Sequence, residues 1–378
     1  MSAIAEVESW VAGALHVVRV TDEDGRSGLG AGACWAYPGA SAAIVETLRT
    51  YLLGKDPRRI EDHWYAMHRM GPFRGSVLGG AVSAVDTALW DLKARALDVP
   101  VFELLGGRAR DRIRLHALLL GWSSFDDLFA RARDAAQEGF TAVKVDPTPA
   151  GAPSLPLPAL ARDLRHAAEV AREAVGEDVD LIFELHRSFT PLQASTAIES
   201  LAAVRPLFVE DPIQIDSLRL QGLVAARSAT PLGQGERAHS SWEVRELLQD
   251  GGPQFVRCDV GLAGGLTHGR RIAAVAEAFG ASVCWHTFSG PLLTAAAAHL
   301  ETTLPNVATH EWWAPIEEPG QIPAFSAEHR REGGWLHVAD VPGLGIAFDP
   351  SRLAPIDVLG RPLHEVPRRP DGSVALAV

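Results

Sequence analysis

The sequence predicts an α/β protein built as a (β/α)8 barrel joined to a smaller mixed layer of strands and helices. Three observations predict it. From about residue 112 to 315, short β-like runs alternate with amphipathic helical stretches, and such alternation implies parallel strands. The first hundred or so residues instead mix β-rich runs with long helical patterns. Finally, an ionisable residue recurs at the C-terminal end of one β-like run after another, as at the mouth of a barrel.

Taken in order, VAGALHVVRVTDEDGRSGLGAGACW holds β-rich runs broken by Asp24-Gly25, a hairpin signal. AAIVETLRTYLLG and IEDHWYAMHRM read as helices, the first closed by Gly54. GGAVSAVDTALWDLKARAL reads as a longer helix with small or apolar Ala81, Ala84, Val85, Ala88, Leu89 and Leu92. After LLGG at 104–107 the pattern changes. The barrel runs are then IRLHALLLG, FTAVKVDP, VDLIFELH, PLFVED, TPLGQGER, FVRCDV, SVCWHT and ATHEWW. Between them lie helices such as ALARDLRHAAEVAREAVG, whose Leu160, Leu164, Ala167, Ala168, Ala171 and Val175 keep helical spacing. The tail after about 325 turns Gly/Pro-rich and β-like again, and is expected to fold back on the N-terminal layer.

Composition narrows the function. The 378 residues suggest about two domains, and 47% hydrophobic with 22% charged content is that of a globular protein. A net charge of −12 with no basic run argues against nucleic acid. Cys34, Cys258 and Cys284 are widely spaced, which argues against a cysteine zinc site or a disulfide framework. The N-terminus MSAIAEVESW lacks a basic stretch, and runs such as LLTAAAAHL are too short to span a bilayer. A soluble cytoplasmic protein without membrane partners is expected.

The chemistry gathers at the strand ends. Glu184, Glu210 and Glu236 each close a β-like run, 26 and 26 residues apart, about one β/α unit each. Asp259 follows after 23 residues, His286 after 27 more and Glu311 after another 25. Carboxylates converging from successive strands repel unless a cation joins them, and an oxygen trio suits a hard divalent ion, most simply Mg²⁺. Asp259, one strand before His286, is placed to accept from one ring nitrogen and raise the basicity of the other.

These residues resemble the enolase superfamily, in its mandelate-racemase-like branch, and within it the galactonate/mannonate-type acid-sugar dehydratases. The resemblance runs over nearly the whole chain. Its markers are SAVDTALWDLKARALDVPVFELLGG (83–107), Lys144-Val-Asp146-Pro147, Glu184-Leu-His186, Val209-Glu210-Asp211-Pro212, Gly235-Glu236-Arg237, Asp259 with GLAGGLTHGRRIA, and His286. It implies a modified TIM barrel under an α+β capping domain that both chain ends build: cap 1–111, barrel 112–322 and returning segment 323–378. It also implies Mg²⁺ on Glu184, Glu210 and Glu236, holding the carboxylate of a small substrate whose α-proton the His286–Asp259 dyad removes. Cap stretches 31–39 and 70–76, with Trp35 and Arg74, would touch substrate, and a homo-oligomer is expected.

Racemases of the group carry Lys-x-Lys on the second strand, whereas the third position here is Asp146. Lys-x-Asp-Pro with an acid-x-His motif instead resembles the dehydratases, in which the His protonates a departing hydroxyl; His186 occupies that place. Lys144 is then a counter-charge for substrate or enediolate, Glu311 a hydrogen-bond partner, and Asp146, Arg187 and Trp285 candidate substrate contacts. Two departures stand out: the first metal ligand is Glu184 where Asp is usual, and HTFSGP (286–291) replaces a proline-rich version. Trp35, Trp285, Trp312 and Trp313 suggest an aromatic rim. The alternatives are a racemase, epimerase or cycloisomerase sharing the same proton abstraction, and a catalytically silent barrel with a binding role.

Overall fold

The computed structural model describes residues 1–148, 152–357, 365–366 and 368–374. The N-terminal layer is an antiparallel sheet of β1 (Ile4–Ala12), β2 (Leu15–Asp22) and β3 (Ser27–Gly32), in that order. Gly25, at φ +80°, sits in the turn where Asp24-Gly25 marks a hairpin. Three helices follow: α1 (Pro38–Leu52), α2 (Ile60–Arg69) and α3 (Ser76–Ala96), then the short α4 (Val101–Leu104).

The small residues of α3 have a steric reason. A Cβ on Gly28 or Gly30 of β3 would lie 2.2 or 2.0 Å from the carbonyl oxygen of Ala88 or Ala84. Helix and strand therefore touch backbone to backbone, which only glycines on β3 permit. Buried Asp91 of α3 accepts from the amides of Leu29 and Leu344, at 2.8 and 2.7 Å. One carboxylate thus ties the N-terminal sheet to the returning tail.

Eight parallel strands follow: β4 (Ile113–Leu119), β5 (Ala142–Val145), β6 (Asp180–Glu184), β7 (Phe208–Glu210), β8 (Leu232–Gln234), β9 (Phe255–Val256), β10 (Ser282–Val283) and β11 (His310–Trp312). Neighbours pair in sequence from β4 to β10. β11 pairs with β4, and a parallel bridge from Val283 to Val307 joins β10 to the segment before β11, which closes the ring. The connecting helices are α5 (Phe125–Gln137), α6 (Leu157–Val175), α7 (Pro191–Leu201), α8 (Leu218–Ala225), α9 (Ser241–Glu246), α10 (Gly265–Ala278) and α11 (Pro291–Thr303). The eighth unit departs from a regular (β/α)8 pattern, because β11 is followed only by the four-residue α12 (Ala314–Glu317). The buried face of α6 is Leu160, Leu164, Ala167, Ala168, Ala171 and Val175.

The tail divides, where a single return to the N-terminal layer was expected. β12 (Phe325–Ala327) pairs with β15 (Ile346–Phe348), and between them the hairpin β13 (Arg330–Glu332) and β14 (Trp335–His337) adds to the start of β4. The later stretch meets the cap through bridges Pro100–Gly343 and Gly13–Ile356 and through Arg95 Nη2 donating to the Ile346 carbonyl at 2.8 Å. The first residues of β4 have a free edge that β11, pairing further along at Leu115–Ala117, does not cover, and β14 satisfies it.

The cap is seated on the loop before α10. Trp64 Nε1 donates to the Gly264 carbonyl at 2.7 Å, and Trp90 Nε1 to Thr267 Oγ1 at 2.8 Å. Asp86 accepts from the Thr267 amide at 2.9 Å. These buried bonds set the cap loop 33–37 over the mouth. Among the described residues, no helix is long and apolar enough to cross a membrane.

Candidate active site

Strand register brings the carboxylates together. Glu184 and Glu210 are direct partners at the ends of β6 and β7. Glu236 lies two residues beyond β8, after a Gly235 at φ +117° that turns the chain inward. All three are buried, and each offers an oxygen within 4.8 Å of the others. An all-oxygen buried trio is the donor set of a hard divalent cation.

Basic side chains interleave with the acids. Lys144 Nζ lies 2.9 Å from Glu184 Oε2 and 2.8 Å from both Glu210 Oε2 and Glu311 Oε2. Burial and Arg257 work against its charge, but the three carboxylates hold it above the usual lysine range. Arg257, fully buried, reaches Glu210 at 2.7 Å and Glu311 at 2.6 Å. Arg187 Nη1 donates to Asp211 at 2.5 Å and Glu236 at 2.6 Å. Glu210 is pushed up to about 7 by burial, with Glu184 and Glu311 adding to it against Arg257 and Lys144. Mutual repulsion among these buried carboxyls is what an added cation would relieve.

Two histidines flank the trio, each held by an aspartate from the preceding strand. His286 Nδ1 lies 2.6 Å from Asp259 Oδ2, whose other oxygen accepts from the Gly261 amide at 2.7 Å. With the Nδ1 proton toward that carboxylate, the neutral ring presents Nε2 as its acceptor, 3.7 Å from Glu236 and 3.9 Å from Glu311. Burial pulls this imidazole down, and Glu236, Asp259 and Glu311 more than reverse it. His186 Nδ1 lies 2.8 Å from Asp146 Oδ2. Burial opposes its charge too, yet Glu184 and Asp146 push it up to about 9. The two histidines follow β6 and β10, four strands apart in a ring of eight, and so stand across the mouth from one another.

The backbone is strained where His186 is aimed. His186, Arg187 and Asp211 hold positive φ of 47°, 58° and 39°. Such residues cost about 1–3 kcal/mol each and persist only where their surroundings impose them. Here Glu184 Oε1 accepts the His186 amide at 2.8 Å, and the Arg187 amide donates to the Asp211 carbonyl at 2.7 Å.

Several expected contacts fall elsewhere. Asp146, expected as a substrate contact, pairs with His186 Nδ1. Arg187 is bound to Asp211 and Glu236 inside the site, though it also lines the cavity beside it. Trp285 does not reach the mouth. Neighbours along a strand point to opposite faces, so with His286 turned inward its ring is fully buried toward α10, against Gly269. Trp312 is buried as well, with Nε1 on Glu318 at 3.2 Å. Arg74 is exposed and donates to the carbonyls of Gly71 and Phe73, at 2.6 and 2.9 Å. From that stretch it is Ser76 that lines the cavity, with Trp35. Trp313 stacks on Phe288, whose ring centre lies 6.1 Å from that of His286.

Sequence reading missed Arg257 and the pairing of Asp146. Both had a signal. In FVRCDV, Arg257 shares parity with Asp259, and Asp146 precedes His186 by one β/α unit just as Asp259 precedes His286.

Comparison with known proteins agrees with this geometry. Residues 127–352 match the family described as enolase C-terminal domain-like, and residues 6–106 the mandelate racemase / muconate lactonizing enzyme N-terminal domain. The chain belongs to the enolase superfamily, in its mandelate racemase-like branch. Among its relatives is a D-galactonate dehydratase of Ralstonia nicotianae, 32% identical over 95% of both chains. Another, of Verminephrobacter eiseniae, is 32% identical over 88% of both. An enolase from Agrobacterium radiobacter, solved with Na and L-malate bound, superposes with a TM-score of 0.90 at 28% identity, covering 99% of this chain and 100% of that one. A mandelate racemase/muconate lactonizing enzyme from Jannaschia sp. CCS1 gives 0.86 at 30% identity, covering 93% and 96%.

Proposed function

We propose that this superfamily member is a Mg²⁺-dependent hydro-lyase that removes water from an acid sugar or related hydroxy-carboxylate. The observation that carries the reading is the pair of Asp-held histidines facing each other across the carboxylate trio. The D-galactonate dehydratase relatives support the same class. Glu184, Glu210 and Glu236 are the residues to hold the cation, which when bound polarises the substrate carboxylate and makes the α-proton removable.

The rest belongs to the side chains. His286 Nε2, left bare by Asp259, takes the α-proton as the C–H electron pair passes into the enediolate. Lys144 and Arg257 lie beside the carboxylates and offset the developing negative charge. The enediolate then collapses, the β-carbon–oxygen bond breaks, and His186 hands its proton to the departing hydroxide, giving water and an enol that ketonises to a 2-keto acid. Base and acid on opposite sides suit an elimination in which proton and hydroxyl leave from opposite faces. A racemase needs a second base facing the first, and position 146, where a second lysine would stand, is an aspartate paired with His186.

Screening acid sugars for 2-keto product with Mg²⁺, in D₂O, tests the assignment. His286→Asn is expected to abolish both product and α-proton exchange, by about 10³-fold or more. His186→Asn is expected to lose dehydration by a similar factor while exchange persists. Dehydration retained in both variants would sink the mechanism, and exchange without loss of water in the unsubstituted protein would favour a racemase.

A further inference from the structure

Outside the carboxylate trio, a serine, a histidine and a glutamate stand in line where the cap meets the barrel. Ser76 opens α3 and lines a cavity of about 570 Å³ beside the cap loop 33–37. Its Oγ lies 2.8 Å from Nε2 of His239, in the loop between β8 and α9. On the other side of that ring, Nδ1 lies 3.4 Å from Oε2 of Glu243 on α9. The same oxygen accepts the His239 amide at 2.5 Å, so the backbone also fixes the carboxylate beside the ring. Burial opposes the charge of Glu243, yet its bonds to His239 and Ser240 hold it below the usual carboxylate range. With the Nδ1 proton toward this carboxylate, Nε2 accepts from the serine hydroxyl. None of the three has a part in the dehydration proposed above.

The chain around Ser76 adds a second feature. Gly75, at φ +122°, turns the backbone into α3 through a conformation that residues with a side chain rarely adopt. The helix has no side-chain cap, and the Gly79 amide is the first to bond backward, to the Gly75 carbonyl at 2.9 Å. The amides of Ser76, Val77 and Leu78 therefore make no hydrogen bond among the described residues. A hydroxyl on a tight turn at a helix start, with a held base behind it and open amides after it, is what acyl transfer needs. A latch between cap and barrel would need only the serine–histidine bond.

We propose that Ser76, His239 and Glu243 form a second catalytic centre, one that hydrolyses a small carboxylic ester. At about 30 Å³ per heavy atom, the cavity of about 570 Å³ admits fewer than about 20 such atoms, so the substrate is a short-chain ester. Ser76 Oγ attacks the ester carbonyl carbon as its proton passes to His239 Nε2, and the carbonyl π pair moves onto oxygen. The open amides after Ser76 are the donors for that oxyanion. Collapse breaks the bond from the acyl carbon to the alcohol oxygen. The alcohol leaves with the proton from His239, and Ser76 keeps the acyl group. Water then attacks the acyl carbon and gives a proton to His239. A second collapse returns that proton to Ser76 Oγ and releases the carboxylic acid. Water is the sole co-reactant, so the step does not depend on a cation at the trio.

The test follows p-nitrophenyl acetate and butyrate with the unsubstituted protein, first with Mg²⁺ and then with a chelator. A burst of about one p-nitrophenolate per chain is expected. Peptide mass spectrometry after acid quench should find an acetyl group on Ser76, and a fluorophosphonate should label the same serine. These readouts use the unsubstituted protein, so they decide the matter even where a variant misfolds. Ser76→Ala is expected to abolish burst and label and, like His239→Gln, to lower kcat/KM by about 10³-fold. Glu243 is a positioning residue, and Glu243→Gln should lower kcat by about 10-fold with KM unchanged. Turnover or label that survives in Ser76→Ala would overturn the proposal. Loss of hydrolysis on chelation would overturn it too, by placing the reaction at the carboxylate trio. Absence of burst and label in the unsubstituted protein, with a lower melting temperature in Ser76→Ala, would mean that the pair only fastens cap to barrel. None of these outcomes bears on the dehydratase reading, which is judged by 2-keto product alone.

Discussion

Glu184 shows how one methylene is used. Its Oε1 turns back to accept the His186 amide two residues on, while Oε2 extends to Lys144 at 2.9 Å. The longer arm thus holds the positive-φ turn that aims His186 and still offers an oxygen to the trio. Lys144 is the other residue on which the site depends, since its ammonium is the shared neighbour of Glu184, Glu210 and Glu311. Lys144→Met is expected to leave these buried acids uncompensated and to lower stability by about 3–5 kcal/mol. Mg²⁺ should raise the melting temperature of this variant more than that of the unsubstituted protein, because the added cation replaces lost charge. Thermal melts with Mg²⁺ and with a chelator check this, and equal shifts in both proteins would refute it. At this scale, residue types at strand ends were legible because barrel geometry sends them all to one mouth. The partners of Arg187 were not, because a guanidinium on so long a side chain has several acids within reach.

The contact of α3 with β3 decides how the cap holds together. Gly30→Ala would set a methyl 2.0 Å from the Ala84 carbonyl oxygen, so strand and helix must separate. The expected loss is about 3 kcal/mol or more, at the upper end for overpacking between backbones that cannot yield. Urea unfolding measures it, and a change below about 1 kcal/mol would show that the contact relaxes freely. The helix itself was readable from its spaced small residues, and the same holds for the buried face of α6. The tail was harder. Its four strands are three residues each, and whether such a strand joins the barrel or the cap depends on which edge is open. Local pattern carries no information about that.

For the molecule as a whole, acid is a test of burial. Burial holds His16 down at about 4, and His329 likewise at about 4. An unfolded histidine titrates near 6.5, so below that pH the unfolded chain takes up protons that the folded chain refuses. Stability from such a group is fully present above about 6.5 and is lost as pH falls toward about 4. Asp86 and Glu317, both pushed up to about 7 by burial, act with the opposite sign, being stabilising at low pH and losing that contribution as pH rises through about 7. The clean readout is therefore a difference. Between pH 7 and pH 5, His16→Gln should gain about 2 kcal/mol relative to the unsubstituted protein in urea unfolding, since one histidine no longer resists protonation. Parallel pH profiles would refute the assignment.

The sequence alone determined the α/β class, the strand order, the gathering of Glu184, Glu210 and Glu236 as a set and the His286–Asp259 pairing. Each follows from local periodicity or from a fixed spacing along the chain, and those survive folding unchanged. Only the tertiary structure decided that Arg187 bridges Asp211 and Glu236, that Trp285 packs outward, that the tail divides between barrel and cap, and that Arg237 lies over Trp35. Those facts depend on which surfaces meet when the ring closes and the cap docks, and separation along the chain does not encode them.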